Sequence, residues 1–179
     1  MRAYFILMML ALLSGCGINY VKPVSYGSTV GQDRAVIVYG VKVEIQWTYP
    51  QFGIVLDEYD AKTGEITGNC WSYVHARATV DGTPGDVRYF AFEVPPGQYV
   101  YSPFNANSLV GGNIAFEATV GKPVYVGAFV YEQNRTVTLR QNLDEAKPAI
   151  DLLFPELKGS LSAADTRIVK NPFVFICTP

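Results

Sequence analysis

Hydrophobic and polar positions alternate along much of the chain with a period of two, the signature of strands exposing one face to a core. Residues 35–47 are dense in Val, Ile, Tyr and Trp, with Val41, Val43 and Ile45 on one face and Lys42, Glu44 and Gln46 on the other. Residues 52–59 and the run beginning at Glu65 flank Asp60-Ala61-Lys62-Thr63-Gly64, in which Gly64 can take the left-handed conformation that closes a bulged hairpin. From 70 to 80 small residues (Cys70, Ser72, Val74, Ala76, Ala78, Val80) alternate with larger ones (Trp71, Tyr73, His75, Arg77, Thr79). Four more extended runs, 87–94, 98–104, 113–120 and 124–131, are separated by Pro95-Pro96-Gly97, by a loop ending at Gly111-Gly112 and by Gly121-Lys122-Pro123. Short strands at this spacing with turn chemistry between them predict a mainly β fold, an antiparallel β-sandwich.

The run 124–131 is apolar on both faces: Val124, Val126, Ala128 and Val130 on one, Tyr125, Phe129 and Tyr131 on the other. A strand of that kind needs a cover on its second face or a ligand for it. A cover is predicted further on, where Asn142 can cap a short C-terminal helix, Asp144 and Glu145 suit its positive end, and Leu143, Ala146, Ile150 and Leu153 recur at helical spacing. Pro148 should kink or divide this helix and Pro155 should stop it. A final apolar strand is expected over 172–177.

At the other end of the chain Arg2 precedes an apolar run, 3–13, and then small residues. Basic start, short apolar core and small residues before a cut describe a secretory signal peptide, and the core is too short to span a bilayer. Residues 1–15 are therefore expected to be a removed leader, 16–33 a Gly/Ser/Pro/Asn-rich tether, and 34–179 a single sandwich domain.

Composition narrows the classes of function. Apolar residues make up 49% of the chain and charged residues 17%, enough apolar material for a core and unlike a disordered segment. A formal net charge of −2 gives no basic surplus for nucleic acid or for anionic headgroups.

The stretch Leu13-Ser14-Gly15-Cys16 resembles the lipobox of bacterial lipoproteins. The resemblance implies cleavage before Cys16, a diacylglycerol thioether on its sulfur and an acylated amine, so a covalent lipid is the only prosthetic group expected. Gly17 after that cysteine, rather than Asp, resembles lipoproteins sent to the outer membrane, with the domain facing the periplasm. With Cys16 so used, Cys70 and Cys177 are left as a pair in a compartment that permits a disulfide, which would stabilise the fold by about 2 to 4 kcal/mol; two buried free thiols are the alternative. Phe92-Glu93-Val94-Pro95-Pro96-Gly97-Gln98-Tyr99-Val100 and Thr119-Val120-Gly121-Lys122-Pro123-Val124-Tyr125-Val126-Gly127 are similar to small prealbumin-like β-sandwich modules of bacterial envelope proteins, which implies a prealbumin/Ig-like fold and no particular function.

Chemistry is sparse. His75 is the sole histidine, and no Gly-x-Ser-x-Gly, His-Glu-x-x-His or Cys-x-x-Cys pattern occurs. One histidine leaves a tetrahedral zinc site short of ligands, so no catalytic residue and no metal is expected. Asp57, Glu58, Asp60 and Glu65 gather about the hairpin without the spacing of a calcium loop, and read as a solvated turn. The sequon Asn134-Arg135-Thr136 is discounted in a bacterial lipoprotein. Aromatic residues remain, 12 Tyr, 10 Phe and 2 Trp. Trp71, Tyr73, Tyr125, Phe129 and Tyr131 are the candidates for binding, with core packing as the commoner use of such rings. The expectation is a non-enzymatic accessory module that contacts another envelope protein. The alternatives are a module binding glycans or a small apolar molecule, and a hydrolase using His75.

Overall fold

The computed structural model describes residues 20–21, 23–25, 31–66 and 74–172. The fold is mainly β, with two sheets. The seven-stranded sheet contains β1 (Tyr20–Val21), β5 (His75–Asp81), β3 (Gln51–Asp60), β7 (Gly97–Tyr101), β8 (Asn113–Ala118) and β12 (Arg167–Val169) in that lateral order, with β4 (Glu65–Ile66) folded back on β3. The five-stranded sheet runs β10 (Val137–Arg140), β9 (Val124–Tyr131), β2 (Ala35–Val43), β6 (Arg88–Val94), with β11 (Ser162–Ala163) beside β9. Most ladders are antiparallel, but β1 on β5, β11 on β9 and the long central pair β2 on β9 are parallel. The antiparallel arrangement expected from the sequence describes most of the ladders, and these three pairings depart from it. Parallel neighbours need a long crossover, and β2 and β9 lie far apart in sequence.

Alternation builds one core shared by both sheets. Ala35, Ile37, Tyr39, Val41 and Val43 of β2 meet Phe52, Ile54 and Leu56 of β3 and Ala76, Ala78 and Val80 of β5 in a single buried cluster. Tyr39 stands at its centre. Its ring stacks on Phe92 at 5.3 Å and meets Phe129 edge-on at 5.7 Å. Its hydroxyl accepts the Ala78 N–H at 2.9 Å and lies within donating distance of the carbonyls of Ala76 (2.8 Å) and Ile54 (3.0 Å). A side chain of one sheet is thus bonded to the backbone of two strands of the other.

The hairpin between β3 and β4 closes as its sequence requires. Gly64 has φ +79°, and the Asp60 side chain accepts the Lys62 N–H at 2.7 Å. The helix also forms as expected: α1 (Leu143–Leu153) starts at Asn142, whose side chain accepts the Glu145 N–H. It runs through Pro148 without dividing, because that residue lies on the solvent face where water is at hand for the carbonyl it leaves unpaired. Ala146 and Ile150 pack on Val36, Val38, Ala91 and Tyr125. Leu153, expected on the buried face, is exposed, and Phe154 takes its place by leaving helical geometry at the C-cap. Pro155 opens a single 3-10 turn.

Strand β9 departs from the simple alternation. Val38 of β2 pairs with Tyr125 and the next residue, Tyr39, pairs with Gly127, so β9 carries one extra residue, a β-bulge at Val126. The bulge reverses the faces beyond it. Tyr125 lies under α1, whereas Phe129 and Tyr131 lie in the core between the sheets. Gly127 makes this possible with φ +136°, and a Cβ there would sit 2.5 Å from Leu139 Cδ1 and 3.0 Å from the Arg140 carbonyl. Strand β10, which pairs with β9 beyond a turn that has Arg135 at φ +64°, has no counterpart among the predicted strands.

Residues 20–21 and 23–25 fall within the expected tether but belong to the fold. Tyr20 and Val21 pair with His75 and Ala76, Pro23 bridges Phe92, and the Val24 N–H donates to the Ala91 carbonyl at 2.7 Å. Of the expected strand 172–177 all but Pro172 lies outside the described residues.

Gly127→Ala should cost about 2 to 3 kcal/mol, combining backbone strain with a clash; urea unfolding checks this, and a loss below about 0.5 kcal/mol would remove the bulge from the account. A second expectation concerns alkali. Burial raises the hydroxyl pKa of Tyr39 well above 10 and also raises those of Tyr99 and Tyr101. A pKa raised in the folded state stabilises the protein fully below the unfolded value of about 10, and that contribution is lost as pH rises toward the folded value. Stability should therefore fall above about pH 10, and late phenolate absorbance should appear together with loss of the native circular dichroism. Complete tyrosine ionisation in a folded protein is the contrary result.

Candidate functional site

With Phe52, Ile54 and Leu56 turned to the core, Asp57 points from the other face of β3; with Ala76, Ala78 and Val80 turned inward, His75 points from the other face of β5. The two are directly opposed in the antiparallel register. His75 Nδ1 lies in close contact with Asp57 Oδ1. Asp57 is fully buried and His75 is 9% exposed.

The loop after β7 walls one side. Val55 donates its N–H to Asn105 Oδ1 at 2.8 Å, and its carbonyl accepts from Asn105 Nδ2 at 3.0 Å and from the Ser102 N–H at 3.1 Å. The Ser102 hydroxyl oxygen accepts the Phe104 N–H at 3.1 Å. These bonds hold the Phe104 ring 6.5 Å from that of His75, at an interplanar angle of 63°, with Phe104 itself 55% exposed. The carboxylate fixes the orientation of the imidazole, the arrangement that general-base chemistry uses. A hydrolytic site further needs a nucleophile and an electrostatic clamp; the buried Ser102 hydroxyl oxygen accepts the Phe104 N–H.

The other acids of the hairpin do not converge with Asp57. Asp60 Oδ1 caps the turn, and Glu65 is exposed opposite Asp60. Among the described residues no three His, Cys, Asp or Glu side chains are grouped to hold a metal ion. An open groove of about 530 Å³ beside α1 is lined by Asp144, Lys147, Pro148, Asp151, Leu152 and Lys158; within it Lys147 pairs with Asp151 at 3.5 Å.

The proposed aromatic binders are not brought together. Tyr125 is covered by α1, while Phe129 and Tyr131 are 0% and 4% exposed on the opposite side of the sheet, so no ligand reaches these ring faces in the folded protein. Burial also raises the Tyr125 pKa. Trp71 and Tyr73 lie outside the described residues, as do Cys16, Cys70 and Cys177. Two exposed rings that sequence reasoning passed over are Phe104 and Tyr49, the latter 64% exposed. Tyr49 stands at the end of an aromatic row with Trp47 (6.0 Å), which in turn meets Tyr131 at 4.9 Å. No protein-family model, curated protein or solved structure matches the chain.

His75→Ala should destabilise the protein by about 3 to 5 kcal/mol, because it leaves the Asp57 carboxylate buried without its partner. Replacing both residues, Asp57→Leu with His75→Leu, should recover most of that loss in urea unfolding. A double variant no more stable than His75→Ala would show that the pair does more than satisfy its own burial.

Proposed function

We propose that this chain is a bacterial lipoprotein, anchored through acyl chains on Cys16 in the outer membrane with its domain facing the periplasm, where it acts as a non-enzymatic accessory module by contact with another envelope protein. The observation that carries this reading is Leu13-Ser14-Gly15-Cys16 directly after the short apolar run 3–13. No helix among the described residues is long and apolar enough to cross a membrane. Two acyl signals already suffice for stable attachment.

The two sheets with one shared core support a β-sandwich for the anchored domain. The segments similar to prealbumin-like modules fall on the end of β6, on β7 and on the first half of β9, which supports that kind of sandwich. The ligand-binding alternative loses Tyr125, Phe129 and Tyr131 as accessible rings through their burial, and Trp71 and Tyr73 lie outside the described residues.

Cells fed radiolabelled palmitate should incorporate label into the full-length protein and retain it in the membrane fraction. Cys16→Ala should abolish labelling and leave the protein unprocessed or released. Undiminished labelling of Cys16→Ala would overturn the anchor.

A further inference from the structure

Strand β1 is the outermost strand beside β5, and β6 is the outermost strand of the other sheet. Residues 20–21 and 23–25 run across the side of the molecule between β5 and β6. Tyr20 and Val21 pair with β5, and Pro23 and Val24 pair with β6. Val21 packs on the core between the sheets, and Val24 packs on the cluster under α1. This strap holds the N-terminal end of the domain in a fixed place.

The registers give that place a direction. Because β1 is parallel to β5, the chain before Tyr20 leaves at the end of the molecule where β5 begins and β3 finishes. The same end carries the turn 61–64 between β3 and β4, the turn 95–96 before β7, and the turn 119–122, where Val120 bridges Ala35. The opposite end carries Trp47 and Tyr49, with Trp47 bonded to Gly82 and Gly82 to Pro50.

Four peptide steps separate Cys16 from Tyr20. Fully extended they reach about 14 Å. The ten residues of β3, by comparison, rise about 33 Å. A lipid on Cys16 therefore has the reach to clear the near turns and not the length of the domain.

We infer, resting on the lipoprotein reading above, that the strap apposes the end bearing turns 61–64, 95–96 and 119–122 to the bilayer that holds the acyl chains, and keeps the Trp47/Tyr49 end turned away from it. Each of two near turns places an exposed lysine there, Lys62 and Lys122. Asp60 and Glu65 flank Lys62, so their charges offset its attraction to headgroups, and the short spacer does the holding.

Energy transfer in the full-length lipidated protein tests this. A fluorescent amino acid would replace either Lys62 or Tyr49, both exposed, in phosphatidylcholine vesicles carrying a headgroup acceptor dye. Transfer should be several-fold stronger from position 62 than from position 49. A long Gly-Ser insertion between Gly17 and Ile18 should bring the two toward equality. Equal transfer from both positions at the native spacing overturns the orientation. Intact mass on the same preparation separates the two ideas. Acylated Cys16 with equal transfer overturns the orientation alone, whereas an unacylated Cys16 overturns the anchor reading and this placement with it.

Discussion

Two sheets with separate strand orders share one core, and the Tyr39 side chain ties them together by directional bonds at its centre. Apolar contact between sheets is non-directional and would tolerate some sliding, whereas a hydroxyl that accepts from Ala78 N–H and lies against the Ala76 and Ile54 carbonyls sets β2 at one position over β3 and β5. The ring serves the same end, stacked on Phe92 within its own sheet and edge-on to Phe129. A buried hydroxyl without partners would be a liability in so apolar a setting. With three backbone neighbours it becomes the fixed point of the core.

That fixed point bears on how much of the fold could be read from residues. Alternation and turn chemistry located most strands near their observed limits, β9 without error, and Asn142 marked the start of α1. Alternation failed inside β9, because a period of two has no means of registering an inserted residue. Gly127 was the visible signal, and only pairing with β2 shows that Phe129 and Tyr131 have changed sides. Strand β10 escaped because its turn has no glycine. The left-handed position falls to Arg135, with Asn134 Oδ1 accepting the Thr136 N–H at 3.1 Å. Residues 20–25 looked like a tether because pairing at a sheet edge depends on the edge, which is formed by strands much later in the chain.

The candidate site was legible as residues and not as a site. Asp57 read as one of four turn acids, and His75 as an isolated imidazole. Nothing local joins positions 18 residues apart, and their meeting follows from the β3–β5 register that puts them opposite each other. The same register divides the acids, placing Asp57 against the imidazole on the face away from the shared core and leaving Asp60 to cap its turn.

The strap also imposes an order on assembly. Tyr20 and Val21 are synthesised ahead of everything they pair with. Their partners His75 and Ala76 follow more than fifty residues later, and the partners of Pro23 and Val24, Phe92 and Ala91, later still. The earliest of the described residues to emerge are among those that must wait longest, and the seam stays open until the sixth strand has arrived. During that interval the edges of β5 and β6 are unguarded, available to a chaperone or to a neighbouring chain.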